Sequence, residues 1–162
     1  MKPTKLSELI AALEFECDER VTRVDLQNGC VESVARSVLS AAEEGDDESL
    51  RALPDWQKPE AEIARTIAAD SGERFVPAPT KFDFHEYRHM ERFIDTVENP
   101  AVADQLWRAI KGKGAFRHFQ DTANRLGLLE RWWHYRKEAM KKFVIAWAEA
   151  RGNPYEDDAR AP

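Results

Sequence analysis

Residues His85-Glu86-Tyr87-Arg88-His89 spell an H-E-x-x-H string. On a helix, positions i and i+4 share a face, so His85 and His89 would hold a zinc ion while Glu86 activates a water for hydrolysis. The neighbourhood favours another reading. Arg88, Glu91 and Arg92 are charged, whereas a buried metalloprotease helix carries uncharged residues at such positions. The apolar stripe runs through Tyr87, Met90, Ile94 and Val97, which puts His85 and His89 on the opposite, solvent-facing side. Asp83 and Glu86 stand at capping-box spacing, so Glu86 has a role as a helix cap. A third ligand would come from Glu98, His118 or His134, none at diagnostic spacing. A zinc hydrolase is therefore the lesser alternative, and no metal or other cofactor is expected.

Lys111-Gly112-Lys113-Gly114-Ala115-Phe116-Arg117 is the second candidate. One helix ends near Gly112 and another begins near Gly114, so free backbone N–H groups beside Lys111, Lys113 and Arg117 would hold an anion. The G-x-x-x-x-G-K-[ST] spacing is absent, so nucleotide hydrolysis has no support. Helix, short turn and helix also match the layout of a DNA-binding helix-turn-helix, with Arg117, His118, Gln120 and Asn124 offered to a groove. A plain reversal of a helical hairpin explains the same glycines. Arg136, Lys137 and Lys141 extend the basic surface along a later helix. Trp107, Phe116, Phe119, Trp132, Trp133, Phe143 and Trp147 interleave with these cations as base-stacking residues would, but their helical spacing assigns them to the core. Adjacent Trp132 and Trp133 lie about 100° apart on a helix, so one of them is partly exposed. Beside Tyr135 and Arg136 it would make a partner-binding hot spot.

The elements that position these residues follow from the apolar periods. Leu6, Ile10 and Leu13 predict a helix from Lys5 to Glu14. Val21 to Leu26 and Cys30 to Val34 alternate around Asn28-Gly29, which predicts a two-residue hairpin turn. That register sets Leu26 opposite Val31 and Val24 opposite Ser33, with Asp25 and Glu32 facing solvent. Residues 41–48 are acidic and read as an exposed loop or helix end. Pro59 to Ala69 is a helix, and Arg74 to Pro79 an edge strand beside the hairpin. A helix from Asp83 to Val97 follows, then one opened by Pro100. The next spans Ala115 to Arg125 with Phe116, Phe119, Ala123 and Leu126 inward and Gly127 just past its end. A long last helix starts near Leu129 and is stopped by Gly152 and Pro154.

The chain has 162 residues, 43% hydrophobic, enough for one real core. Residues 1–80 carry 9 basic and 17 acidic side chains, net −8; residues 81–162 carry 15 and 13, net +2. No apolar run approaches the roughly 18 residues that span a bilayer, and the start lacks a secretory signal's apolar stretch, so a cytoplasmic location is expected. Cys17 and Cys30 form no C-x-x-C pair and read as reduced residues. No Gly-x-Ser-x-Gly elbow and no Cys-His nucleophile pair is present.

Three blocks resemble the bacterial uncharacterised-protein family of the UPF series numbered zero-one-five-eight: Phe82 to Ile94, Ala109 to Asp121, and Trp132 to Ala139 running on to Trp147. The N-terminal helix followed by a hairpin is similar too. The resemblance implies a small, soluble, bacterial cytosolic protein and supplies no activity or catalytic residue.

The expected fold is α+β and mainly helical: an N-terminal helix and β-hairpin forming a small antiparallel sheet, then a C-terminal bundle of about four helices. Residues 1–154 form a single domain and 155–162 a frayed polar tail. The expected function is a non-enzymatic cytosolic binding or regulatory module with a protein partner. Its binding residues would be Lys111, Gly112, Lys113, Gly114, Arg117, His118, Arg136, Lys137 and Lys141. Nucleic-acid binding through the same surface is the alternative. An inhibitor mimicking nucleic acid through the acidic front half ranks below both.

Overall fold

A computed structural model describes residues 1–159. The chain divides into two compact units, Met1–Thr80 with the segment from Val144 onward, and Lys81–Phe143.

The first unit carries the sheet. Strand β1 (Thr4–Lys5) leads into helix α1 (Leu6–Glu14), followed by β2 (Arg20–Asp25), β3 (Val31–Ala35), α2 (Arg36–Glu44), α3 (Asp47–Arg51), α4 (Lys58–Ala69) and β4 (Phe75–Pro77). The sheet order is β3-β2-β4, antiparallel throughout, so the Arg74–Pro79 segment does add an edge strand to the hairpin. Val21, Val34 and Phe75 pack with Val38, Leu39, Ala64 and Ile67 of α2 and α4. Val24 lies on the other face, and Leu6, Leu9 and Leu13 of α1 are wholly buried. The acidic 41–48 stretch is the end of α2, a turn and the start of α3. The Asp46 side chain accepts from Ser49 N–H and caps α3.

The hairpin register differs from the expected one. Val24 pairs with Val31 and Thr22 with Ser33, so four residues, Leu26 to Gly29, make the connection instead of two. Asp25, at the end of β2 before this longer connection, is firmly held. Its carboxylate accepts from Arg74 Nε at 3.0 Å, from Arg74 Nη2 at 2.8 Å and from the Gln27 amide at 3.0 Å, and it is 2% exposed. The Asn28 side chain takes the Cys30 N–H, and Gly29 donates to the Asp25 carbonyl at 2.8 Å. Residues Tyr155–Glu156, assigned by sequence to a frayed tail, form β5 and pair in parallel with β1, and the Asp158 carboxylate accepts from Ser7 N–H and Oγ. Residues 160–162 lie outside the described residues.

The second unit is helical: α5 (Lys81–Phe84), α6 (Glu86–Asp95), α7 (Pro100–Ala109), α8 (Ala115–Arg125) and α9 (Leu129–Ala150), whose last turns belong to the first unit. Asn99 caps α7 through Oδ1, which accepts from the Ala101 and Val102 amides. Helix α8 closes with the Leu128 N–H on Ala123 O and the Gly127 N–H on Asn124 O, a Schellman motif. Phe93, Phe119 and Trp132 form the centre of the core, all tilted edge to face with centroids 4.9–6.1 Å apart. Met90, Ile94, Leu106, Ile110, Ala115 and Ala123 complete it. The architecture is therefore α+β and mainly helical, with a small antiparallel sheet and a C-terminal helical bundle. Among the described residues, no helix is long and apolar enough to cross a membrane.

Candidate functional site: a polar cleft and an aromatic groove

The helix expected from Asp83 to Val97 is broken at His85. That residue has φ 55°, the sole non-glycine residue with positive φ among those described. In a continuous helix the Arg88 N–H would bond Phe84 O. Instead it donates to His85 O at 3.0 Å, and the freed Phe84 carbonyl accepts from His89 Nε2–H at 3.1 Å. The Phe84 ring stacks on the His89 imidazole with centroids 4.4 Å apart and meets Phe143 of α9 edge-on at 5.5 Å. Phe84 is 3% exposed. The break is thus held by one aromatic plug and one side-chain hydrogen bond.

This arrangement revises three readings of the segment. The residue capping α6 is His85 in place of the expected Asp83, and Glu86 sits at the first helical position and pairs with Arg136 of α9. His89 is half-buried in a cleft instead of facing open solvent. Burial, with the nearby Arg92 guanidinium second, holds its imidazole below the usual histidine value, so it is neutral near pH 7. His85 lies outside the helix, so His85 and His89 do not share the helical face that the zinc motif needs. No three His, Cys, Asp or Glu side chains converge into a metal-ligating group among the described residues.

Two helical stripes face each other beside this plug. His85, Arg88, His89 and Arg92 recur at three- and four-residue steps leading into and along α6; Tyr135, Glu138, Ala139 and Lys142 do so along α9. Packed helices put apolar residues at such steps. Here the seam has aromatic contacts at its two ends. Phe84 meets Phe143 at one end, and Phe93 meets Trp132 and Tyr135 at 5.4 and 5.5 Å at the other. Between them the polar stripes leave an open cleft of about 510 Å³. Arg88, Arg92 and Lys142 outnumber the cleft's carboxylates, Asp83 and Glu138. None of these three cations is engaged in an ion pair among the described residues.

A second concavity shares His85 and Arg88 with the first. It is a shallower, mostly apolar groove of about 540 Å³ lined by Phe82, Tyr87 and Phe116, with Lys81 and Glu86. Phe82 is 81% exposed, Phe116 50% and Tyr87 39%. Periodicity places Phe116 inward; in the structure Ala115 takes the buried position at the start of α8, and Phe116 turns outward. The Tyr87 hydroxyl donates to Ile110 O at 3.2 Å, which ties α6 to the end of α7.

The basic turn has the expected backbone. Gly112 and Gly114 take φ 85° and 74°, conformations that glycine adopts without strain, and Gly114 is the residue before α8. Lys111, Lys113, Arg117 and His118 are exposed, with Arg117 4.0 Å from Asp121. Lys137 is exposed and Lys141 half-buried. Arg136 differs from the expected open surface cation. Its side chain is 12% exposed, paired with Glu86, with its guanidinium 5.7 Å from the Trp133 ring centre. Of the two adjacent tryptophans, Trp132 is core and Trp133 is 39% exposed. Sequence reasoning misses the cleft residues Arg88, Arg92, Glu138 and Lys142 as site candidates. Their signal is readable all the same: a helix-spaced stripe that is charged where a packed seam calls for apolar residues.

The fold and these concavities define a mainly helical α+β protein whose C-terminal helical unit carries a polar cleft next to an aromatic groove. The chain belongs to the Uncharacterised protein family (UPF0158), whose model matches residues 1–156. No curated protein and no solved structure matches it.

Proposed function

We propose that this protein is a non-enzymatic, cytosolic binding module that docks a protein partner on the Phe82–Tyr87–Phe116 groove. One observation carries the reading: three large aromatic side chains stay exposed together in one concavity. Singly exposed apolar residues are ordinary, but a gathered patch marks a contact surface, and aromatic residues dominate binding energy at such surfaces. Lys81 and Arg88 line the same groove, and Lys111, Lys113 and Arg117 flank Phe116 in sequence. The partner segment that fits is apolar with acidic flanks. Lys137 and Lys141 lie further along α9 and add to the positive character of this unit.

Nucleic-acid binding is the second reading, favoured by one feature. Helix α8 leaves Arg117, His118, Gln120 and Asn124 exposed directly after the basic turn.

The test is affinity capture of the tagged protein from its native lysate, with and without nuclease, beside the Phe82→Ala/Phe116→Ala variant. Both residues are exposed, so the variant keeps the wild-type circular dichroism and melting curve. The expected result is one protein retained at near-equal amount with nuclease and lost from the double variant. Material that vanishes with nuclease, and is lost on Lys113→Glu/Arg117→Glu instead, would replace this reading with the nucleic-acid one.

A further inference from the structure

We propose that the polar cleft between α6 and α9 is a binding site for a small phosphate ester carrying a planar aromatic base, a ligand of the mononucleotide class. The site is distinct in chemistry from the apolar groove and does not depend on its partner. Its volume of about 510 Å³ lies within the range of small-molecule sites. Three cations with no ion pair among the described residues, Arg88, Arg92 and Lys142, supply the charge that a phosphate dianion needs. The arginines sit one helical turn apart on α6, and Lys142 faces them from α9.

The remaining lining is suited to a base. Phe84 and Phe143 give the cleft an aromatic wall, and Tyr135 adds a half-buried phenol. The Glu138 carboxylate is an acceptor for an exocyclic amino group. His89 donates through Nε2 to Phe84 O, so in its neutral form Nδ1 is left as a second acceptor toward the ligand. Acceptors, an aromatic wall and a cation cluster in one cleft match a base joined to a phosphate better than either part alone. The seam explains why such a site exists. Aromatic contacts pin the helices at both ends, so the polar stripes between them are held apart without collapsing. The chain has no phosphate-binding loop of the nucleoside-triphosphate kind, so the proposal is one of mononucleotide binding.

The experiment is isothermal titration of the full chain with AMP, GMP, CMP and UMP. Adenosine and inorganic phosphate serve as partial probes, and Arg92→Gln, Lys142→Gln and Arg92→Lys as variants. All three variants alter exposed side chains, and their melting curves verify folding. At least one mononucleotide should bind saturably and at least tenfold more tightly than phosphate. Arg92→Gln and Lys142→Gln should each weaken it by roughly 10- to 100-fold, as loss of a charge-assisted hydrogen bond does, while Arg92→Lys retains most of the affinity. The proposal is overturned if none of the four binds at millimolar concentration, or if binding is unchanged in both glutamine variants. Phosphate binding as tightly as the best nucleotide would also overturn it. Partner capture through Phe82 and Phe116 is a separate readout, so the failure of one reading leaves the other standing.

Discussion

Replacing Gly29 by alanine tests the hairpin geometry and the N-terminal packing together. Gly29 has φ +75°, which costs an alanine roughly 1–2 kcal/mol. A methyl there would also run into the Pro3 carbonyl oxygen, with the Pro3 carbonyl carbon at 3.0 Å and Lys2 O at 3.1 Å. These are backbone atoms and give way only if the Lys2–Pro3 segment moves. That movement loosens the bond from Thr4 N–H to Pro154 O, 3.0 Å, and the two-residue pairing of β1 with β5. A lost hydrogen bond adds about 1 kcal/mol, for a total of roughly 2–3 kcal/mol. Gly45 is the control. It lies in the same unit and has φ +71°, and a methyl added to it would meet nothing within 4 Å, so Gly45→Ala carries the conformational cost alone. Urea unfolding of both variants gives the difference, and amide exchange at Thr4 locates it. Gly29→Ala should be the less stable by at least about 1 kcal/mol, with faster exchange at Thr4. Equal stabilities, or unchanged Thr4 exchange, would refute the close approach of Gly29 to Pro3.

Further outcomes are expected at three ion pairs. Arg74, bonded to both Asp25 oxygens, holds that carboxyl below the usual range. The stabilisation is therefore full above the ordinary carboxyl pKa and is lost as pH falls through the lower folded value. Asp25→Asn should cost about 2 kcal/mol at pH 7 and flatten the acid limb of the stability curve, measured by urea unfolding from pH 7 to 2. Glu86→Gln should lower the stability of the C-terminal unit by about 1–3 kcal/mol in the same assay, because Arg136 is largely buried against it. Arg108→Ala, which breaks the exposed pair with Asp104, should leave the melting curve unchanged.

Much of the architecture is legible because the apolar periods are strong. Helices α4, α7, α8 and α9 and the edge strand β4 stand where periodicity, Pro100, Gly127 and Gly152 put them. Helix α2 escapes such a reading, since its acidic end masks the short apolar stretch Val38-Leu39. The hairpin register fails because Asn28 and Gly29 close a longer loop than their dipeptide suggests, Asn28 through the Cys30 N–H and Gly29 through the Asp25 carbonyl. The Arg74 guanidinium that holds the Asp25 carboxylate comes from 49 positions away, so the burial of Asp25 is not announced locally either. The helix break at His85 has no glycine or proline to announce it. It depends on Phe84, His89 and Phe143 coming together, which no local pattern encodes. Arg136 reads as a free cation because its partner Glu86 lies 50 positions earlier, at a spacing that suggests a cap. The groove is hidden for a similar reason. Ala115 and Phe116 are neighbours, and periodicity alone gives the larger residue to the core.

The most direct measurement of the central claim places a photo-crosslinking amino acid at Phe116 in the living cell, with one at exposed Arg108 as control. The account expects a single protein adduct from position 116 that is absent from position 108. No adduct at 116, an adduct to nucleic acid, or the same adduct from both positions would contradict it.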